Sequence, residues 1–385
     1  MIQSAKTLSI VKKAGVFGIE TADPKLNFIK VQERKKEVIR QLRQGMEYML
    51  KGIDYSAAEA KFLDPDTLEI GEEHIKPRHV ILATGSKPSA LKGFEFDNKR
   101  FLSSDQILNL EQVPKNLLII GGGVIGCEFA SLFSVFGSNV SLVEKMAQLL
   151  PEEDAEVAKK LLLIFKKKGI KVYTATDAKD LPLEGFDLIL VAIGRLPNTD
   201  GLNIESSGVK LDKGRVVVDD YLRSTRGNIY AAGDCTGKIM LAHFAAYQGL
   251  VSSKNIASPD NQSRADNNNV PNCIFTSPEI SSVGLTQDKA LEKGIEHKVY
   301  KYDFLASGMA RVLDETEGFL KIICDKKTET ILGGTIIGAC AIELISNLSI
   351  AIQSKIKITE LRNTILAHPT LSESLIEALK NKNGI

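Results

Sequence analysis

Residues 117–145 read LLIIGGGVIGCEFASLFSVFGSNVSLVEK, and this stretch decides the fold. Residues 117–120 are a short apolar run, the signature of a buried parallel strand. Gly121-x-Gly123-x-x-Gly126 follows and opens a helix. In this pattern the first glycine permits a tight turn. The second lets backbone N–H groups approach a pyrophosphate, and the third lets the helix pack closely on the strand. Val124 and Ile125 lie inside the same candidate cofactor loop. Residues 140–143 read as a second strand, closed by Glu144 at the spacing of a ribose-binding acid. A carboxylate there accepts hydrogen bonds from a ribose diol and repels a 2′-phosphate. Lys145 to Gln148 include no Arg, so NAD is favoured over NADP.

Length and composition limit the remaining possibilities. The 385 residues suffice for two or three domains; 43% are hydrophobic and 25% charged, as in ordinary globular proteins. A net charge of +1 gives no argument for nucleic acid or a membrane surface. No apolar run is long enough to span a bilayer, and residues 1–20 do not read as a signal peptide. A cytoplasmic, reducing compartment fits best. Cys127, Cys235, Cys273, Cys324 and Cys340 include no close pair, so no zinc site or other metal centre is expected, and each reads as an ordinary small residue.

Around the nucleotide unit, residues 28–51 carry Val31, Val38, Ile39, Leu42, Met46 and Met49 at helical spacing, a long amphipathic helix. Residues 53–73 read as short strands with a turn at Asp64-Pro65-Asp66. Three further strands end in small residues followed by functional types: Ala83-Thr84-Gly85, Ile193-Gly194-Arg195 and Ala232-Gly233-Asp234. Ligands in doubly wound sheets bind at such strand ends, so together these suggest two cofactor sites, with Asp234 able to accept from a sugar-like hydroxyl. A helix is expected over 241–256, a polar linker over 260–269, and a mixed strand–helix segment beyond it. Glu128 borders the apolar face of the glycine-loop helix and is expected to take a cation partner.

These motifs resemble the pyridine nucleotide–disulfide oxidoreductases, and within them the dihydrolipoyl dehydrogenase type. GGGVIGCEFASLF resembles the family's NAD fingerprint, in which the residue matched by Glu128 pairs with a lysine beside the flavin. Residues 82–86 (LATGS) and 230–237 (YAAGDCTG) resemble the FAD-binding strand ends. Residues 192–199 (AIGRLPNT) resemble the segment near the nicotinamide. Residues 241–249 (LAHFAAYQG) resemble the helix under the flavin ring, which brings in Met240, Leu241, Ala242 and His243. Residues 271–286 resemble the entry to a dimerisation domain, and AHPTLSE (367–373) the catalytic base motif. On chemistry alone, His368 precedes Pro369 in a turn before a helix. Glu373 could hold one imidazole nitrogen and leave the other as a base.

The resemblance implies an α/β protein with two Rossmann-like domains, the first N-terminally truncated, plus an α+β dimerisation domain. It places FAD binding in 1–110 and 229–269, NAD binding in 111–228 and dimerisation in 270–385. It implies FAD and NAD as cofactors, a homodimer, and lipoyl domains of 2-oxoacid dehydrogenase or glycine cleavage complexes as partners. Electrons would pass from dihydrolipoamide through a redox disulfide and FAD to NAD+. The family's opening FAD glycine fingerprint and its C-x-x-x-x-C disulfide have no counterpart in residues 1–385. The expectation is therefore a chain inactive on dihydrolipoamide and poorly soluble. The alternatives are an NAD-binding remnant or a dimerising interaction protein without catalysis.

Overall fold

The computed structural model describes residues 1–380. Its packing divides the chain into two compact units. The first comprises Met1–Gln32, Ala90–Ile193 and the segment beginning at Asn268; the second comprises Glu33–Ser89 and Gly194–Asn267.

In the first unit, a five-stranded parallel sheet runs in the order Phe101–Leu102, Leu188–Val191, Asn116–Ile120, Asn139–Val143, Lys171–Tyr173. The apolar run of residues 117–120 is its central strand, and alternation buries both of its faces. Leu117 and Ile119 meet Phe129, Phe133 and Phe136 of the helix Val124–Phe136, whereas Leu118 and Ile120 meet Phe94 and Ala178. Each such fully buried side chain stabilises by about 1.5–3 kcal/mol relative to exposure. From Asn116–Ile120 the chain adds Asn139–Val143 and Lys171–Tyr173 on one side and then crosses to add Leu188–Val191 on the other, so the carboxyl end of Asn116–Ile120 is the switch point of the sheet, where doubly wound folds bind ligands.

The same unit holds a five-stranded antiparallel sheet, ordered Asn272–Ile274, Glu279–Gly284, Ile331–Gly338, Phe319–Asp325, His297–Asp303. Helices Ala341–Gln353 and Glu373–Lys380 cover it, with Leu344, Leu348, Leu375 and Leu379 in the shared core. The strand His297–Asp303 is not anticipated by the sequence, because its three charged and one imidazole side chains mask the alternation around Val299 and Tyr300. Residues 381–385, the tail of the expected dimerisation segment, lie outside the described residues.

In the second unit, Val80–Leu82 pairs in parallel with Ile229–Ala231, and Ser86–Pro88 pairs antiparallel with Arg195–Pro197. The expected turn between short strands is present: Asp64 Oδ1 accepts from Asp66 N–H at 2.9 Å between strands Ala60–Asp64 and Thr67–Ile70. The long helix forms over Phe28–Met49; its first five residues belong to the first unit, and its buried side chains, Phe28 and Gln32, are among them. Its apolar stripe is open, with Leu42 66% and Met49 72% exposed.

Candidate functional site

The glycine loop sits at the switch point of the parallel sheet, and the three glycines have separate reasons to be there. Gly121 has φ +108°, and a Cβ on it would lie 2.4 Å from the Ala192 carbonyl oxygen. A Cβ on Gly126 would lie 1.8 Å from the Gly121 carbonyl oxygen, so only glycine lets the helix start this close to the strand. A Cβ on Gly123 would meet nothing within 4 Å. Gly123 is thus kept small by no protein neighbour. It caps the thirteen-residue helix Val124–Phe136, whose first N–H groups and positive dipole end are suited to a phosphate.

Glu144 is 8% exposed and lies below this loop. Its Oε2 accepts from Gly122 N–H at 2.6 Å and its Oε1 from Met146 N–H at 2.7 Å. Each oxygen retains a lone pair for a diol. Lys145 lies 3.5 Å from Asp177, so it is directed to a carboxylate. The cradle, the helix end and the acid fit a dinucleotide.

The second unit brings two of the three functional strand ends side by side, since Leu82 is in register with Ala231. Ala83-Thr84-Gly85 and Ala232-Gly233-Asp234 therefore leave neighbouring strands. Arg195 Nε donates to Ser86 Oγ at 2.7 Å and Arg195 Nη2 donates to the Ser86 carbonyl at 2.8 Å. Ser86 Oγ in turn donates to Asp234 Oδ2 at 2.6 Å. Thr84 Oγ1 donates to the Asn198 carbonyl at 2.5 Å, tying the Gly194–Asn198 segment to the first strand end. Gly233 N–H donates to Gln248 Oε1 at 2.7 Å. The helix Ala242–Ala257 begins one residue after Leu241, with Met240 half-buried and His243 exposed. Small residues around an oriented carboxylate suit a ribityl or ribose hydroxyl and a nearby diphosphate. Cys235 is buried, and its thiol lies 3.3 Å from both the Leu82 and Ala232 carbonyls; burial pushes its pKa up, as for a structural thiol.

His368 and Glu373 meet as the spacing anticipates. His368 Nδ1 lies 2.9 Å from Glu373 Oε1, and Glu373 Oε2 accepts from Thr370 N–H at 2.8 Å. These two bonds, the Thr370 N–H first, hold the Glu373 carboxyl below the usual carboxylate range. The imidazole side chain is 82% exposed, with Nε2 facing away from its partner.

Glu128 departs from expectation. Among the described residues it has no cation partner; its Oε1 accepts from Phe275 N–H at 2.9 Å instead. Burial pushes this carboxyl above its ordinary range, and the Phe275 bond offsets only part of that. A raised native pKa means that the folded state holds the proton to higher pH than the unfolded state. The stability it contributes is complete below the ordinary value and is lost as pH rises through the native one. Glu128→Gln is therefore expected to melt with wild type at pH 4 and about 1–3 °C above it at pH 7. An increment independent of pH would contradict the assignment.

Residues 3–249 match the pyridine nucleotide-disulphide oxidoreductase model, and residues 270–379 match the dimerisation domain of the same proteins. The chain belongs to the pyridine nucleotide-disulphide oxidoreductases. It is 35% identical to a dihydrolipoyl dehydrogenase of Bacillus subtilis, over 100% of this chain and 88% of that one. It is 37% identical to a dihydrolipoyl dehydrogenase of Chlamydia pneumoniae, over 97% and 84%. Among solved structures it resembles LpdA from Mycobacterium tuberculosis, with a TM-score of 0.90 at 27% identity, covering 98% of this chain and 88% of that one. It also resembles the HOCl-induced flavoprotein disulfide reductase RclA from Escherichia coli, with a TM-score of 0.87 at 28% identity, covering 98% and 89%. The architecture is accordingly the α/β one of FAD- and NAD(P)-binding domains with a dimerisation domain, and FAD and NAD(P) are the cofactors of this family. No helix among the described residues is long and apolar enough to cross a membrane.

The sequence places Ser86 at the close of the 82–86 strand end but does not show that it links Arg195 to Asp234. The available signal was its place directly after the Ala83-Thr84-Gly85 strand end, where a polar residue faces a ligand as readily as a turn. Sequence reading missed Asp154 and Lys321, a buried ion pair 2.8 Å apart, for which charge pattern gives no signal across 167 residues.

Proposed function

We propose that the protein acts in dihydrolipoyl dehydrogenase-type chemistry, as a homodimer in the cytoplasm, serving lipoyl domains of 2-oxoacid dehydrogenase or glycine cleavage complexes. FAD, when bound, relays two electrons between a redox disulfide and NAD+. In this reading Gly121, Gly123 and Gly126 admit the dinucleotide pyrophosphate and Glu144 takes the ribose diol, within an NAD-binding segment 111–228. Asp234, oriented by Ser86, takes a sugar hydroxyl of the flavin nucleotide beside Ala83, Thr84, Gly85 and Gly233. Met240, Leu241, Ala242 and His243 face the flavin. His368 accepts a proton from a substrate thiol at Nε2, and Glu373 keeps the ring in the tautomer that presents that atom.

The observation that carries this reading is the His368–Glu373 contact at 2.9 Å with the ring 82% exposed. A His–carboxylate pair held this way provides an outward base, which thiol oxidation needs and simple nucleotide binding does not.

Thiol oxidation also needs a cysteine pair to exchange with. The five cysteines of residues 1–385 are all free and widely spaced, and burial pushes the thiol pKa of each one up. This favours a second reading for residues 1–385 by themselves, as an NAD-binding, dimerising chain without catalysis. The 385-residue chain is expected to bind NADH and to show no dihydrolipoamide-dependent NADH formation. The same assay on the protein isolated from its native cells separates the two readings. Activity there supports the enzyme, and inactivity with intact NADH binding leaves the binding protein. Turnover by residues 1–385 alone would overturn the need for a cysteine pair.

A further inference from the structure

A cavity of about 170 Å³ lies within the first unit, between the segment that follows the nucleotide strand and the antiparallel sheet. Glu152, Glu153, Asn272, Ser282, Thr286 and Lys289 contribute to its wall. Glu153 is 9% exposed. Its Oε1 accepts from Asn272 Nδ2 at 2.7 Å and from Ser282 Oγ at 3.1 Å, but its buried Oε2 has no hydrogen-bond partner among the described residues. The charges around it do not balance. Glu152, Glu153 and Asp154 share two lysines: Lys321 lies 2.8 Å from Asp154, and Lys289 lies 3.9 Å from Glu152 and acts on Glu153 only from further off, which leaves one excess negative charge and, among the described residues, no ion pair at Glu153. An unpaired buried carboxylate costs several kcal/mol unless it is neutralised or joined by a cation.

We propose that this cavity binds a monovalent inorganic cation of potassium size, held by the Glu153 carboxylate and the neutral oxygens of the surrounding wall. The single excess charge sets the valence. Among the described residues no group of three His, Cys, Asp or Glu side chains is placed to hold a metal, which disfavours a divalent ion that demands several anionic ligands. The volume admits the ion with part of its water, each water taking roughly 30 Å³. Burial pushes the Glu153 carboxyl above its ordinary range, and the Asn272 and Ser282 hydrogen bonds and the Lys289 charge offset only part of that. The site also touches the nucleotide loop. Glu153 N–H donates to the Leu150 carbonyl at 2.9 Å, and Leu150 N–H donates to the Gly122 carbonyl at 2.8 Å. An ion that fixes Glu153 therefore steadies the turn beside Gly122.

The test is thermal melting of the 385-residue chain in potassium chloride and in choline chloride at equal ionic strength, a readout independent of any nucleotide. Potassium is expected to raise the Tm by about 1–3 °C relative to choline, saturating with concentration. Glu153→Gln should erase the difference. Lys289→Met, which removes a positive charge from the wall, should enlarge it. Equal melting in the two salts means a cavity filled by water alone and overturns the proposal. So does a difference that persists in Glu153→Gln, or a larger shift from calcium chloride than from potassium.

Discussion

Gly123→Val is expected to leave the protein folded and to weaken NADH binding by about 100-fold or more, a loss of roughly 2.7 kcal/mol. The backbone at 123 has φ −73° and ψ −170°, an extended conformation open to any residue. The added side chain meets no protein atom near its Cβ. Its cost to stability is limited to a poorer helix cap, about 1 kcal/mol or less. The space it fills is the space a pyrophosphate needs in order to reach the helix N–H groups. Gly126→Ala provides the contrast. There the Cβ would fall 1.8 Å from the Gly121 carbonyl, so the loop itself must move, and both melting temperature and binding should fall. NADH titration alongside melting curves distinguishes the two glycines. Wild-type affinity in Gly123→Val would remove the nucleotide from this loop altogether.

His368→Gln, made in the gene and studied in the protein isolated from native cells, is expected to lower thiol-dependent turnover by about 10²–10⁴-fold, the range for loss of a positioned base. NADH affinity should not change, since the imidazole hydrogen-bonds Glu373 and not the glycine loop. Glu373→Gln should give a smaller loss of the same kind. Its amide can still accept at one atom, but the charge that stabilises an imidazolium is gone, and the second bond, from Thr370 N–H, depends on which way the amide is turned. A normal rate in His368→Gln would assign the thiol proton elsewhere and leave the 2.9 Å contact as a surface pair.

The amino-acid sequence by itself determined the parallel strand of residues 117–120, the helix after it, the acid at Glu144 and the meeting of His368 with Glu373. Each of these depends on short-range rules: alternation, glycine sterics, and a five-residue reach across one turn. It did not show the strand His297–Asp303, where charged side chains conceal the alternation, nor short strands such as Phe101–Leu102 and Lys171–Tyr173, which are too brief to carry a pattern. Tertiary structure alone decided what lies opposite a residue far away in the chain. It gave Glu128 a backbone N–H at Phe275 where an ion pair was expected, because the strand after Asn272 passes that face of the helix. It left the apolar stripe of Phe28–Met49 open, although periodicity alone would bury it. It joined Arg195, Ser86 and Asp234 into one line of hydrogen bonds, and it closed Glu153 into a cavity with an unmatched charge. Burial and charge balance are sums over neighbours in space, and only the folded chain fixes who those neighbours are.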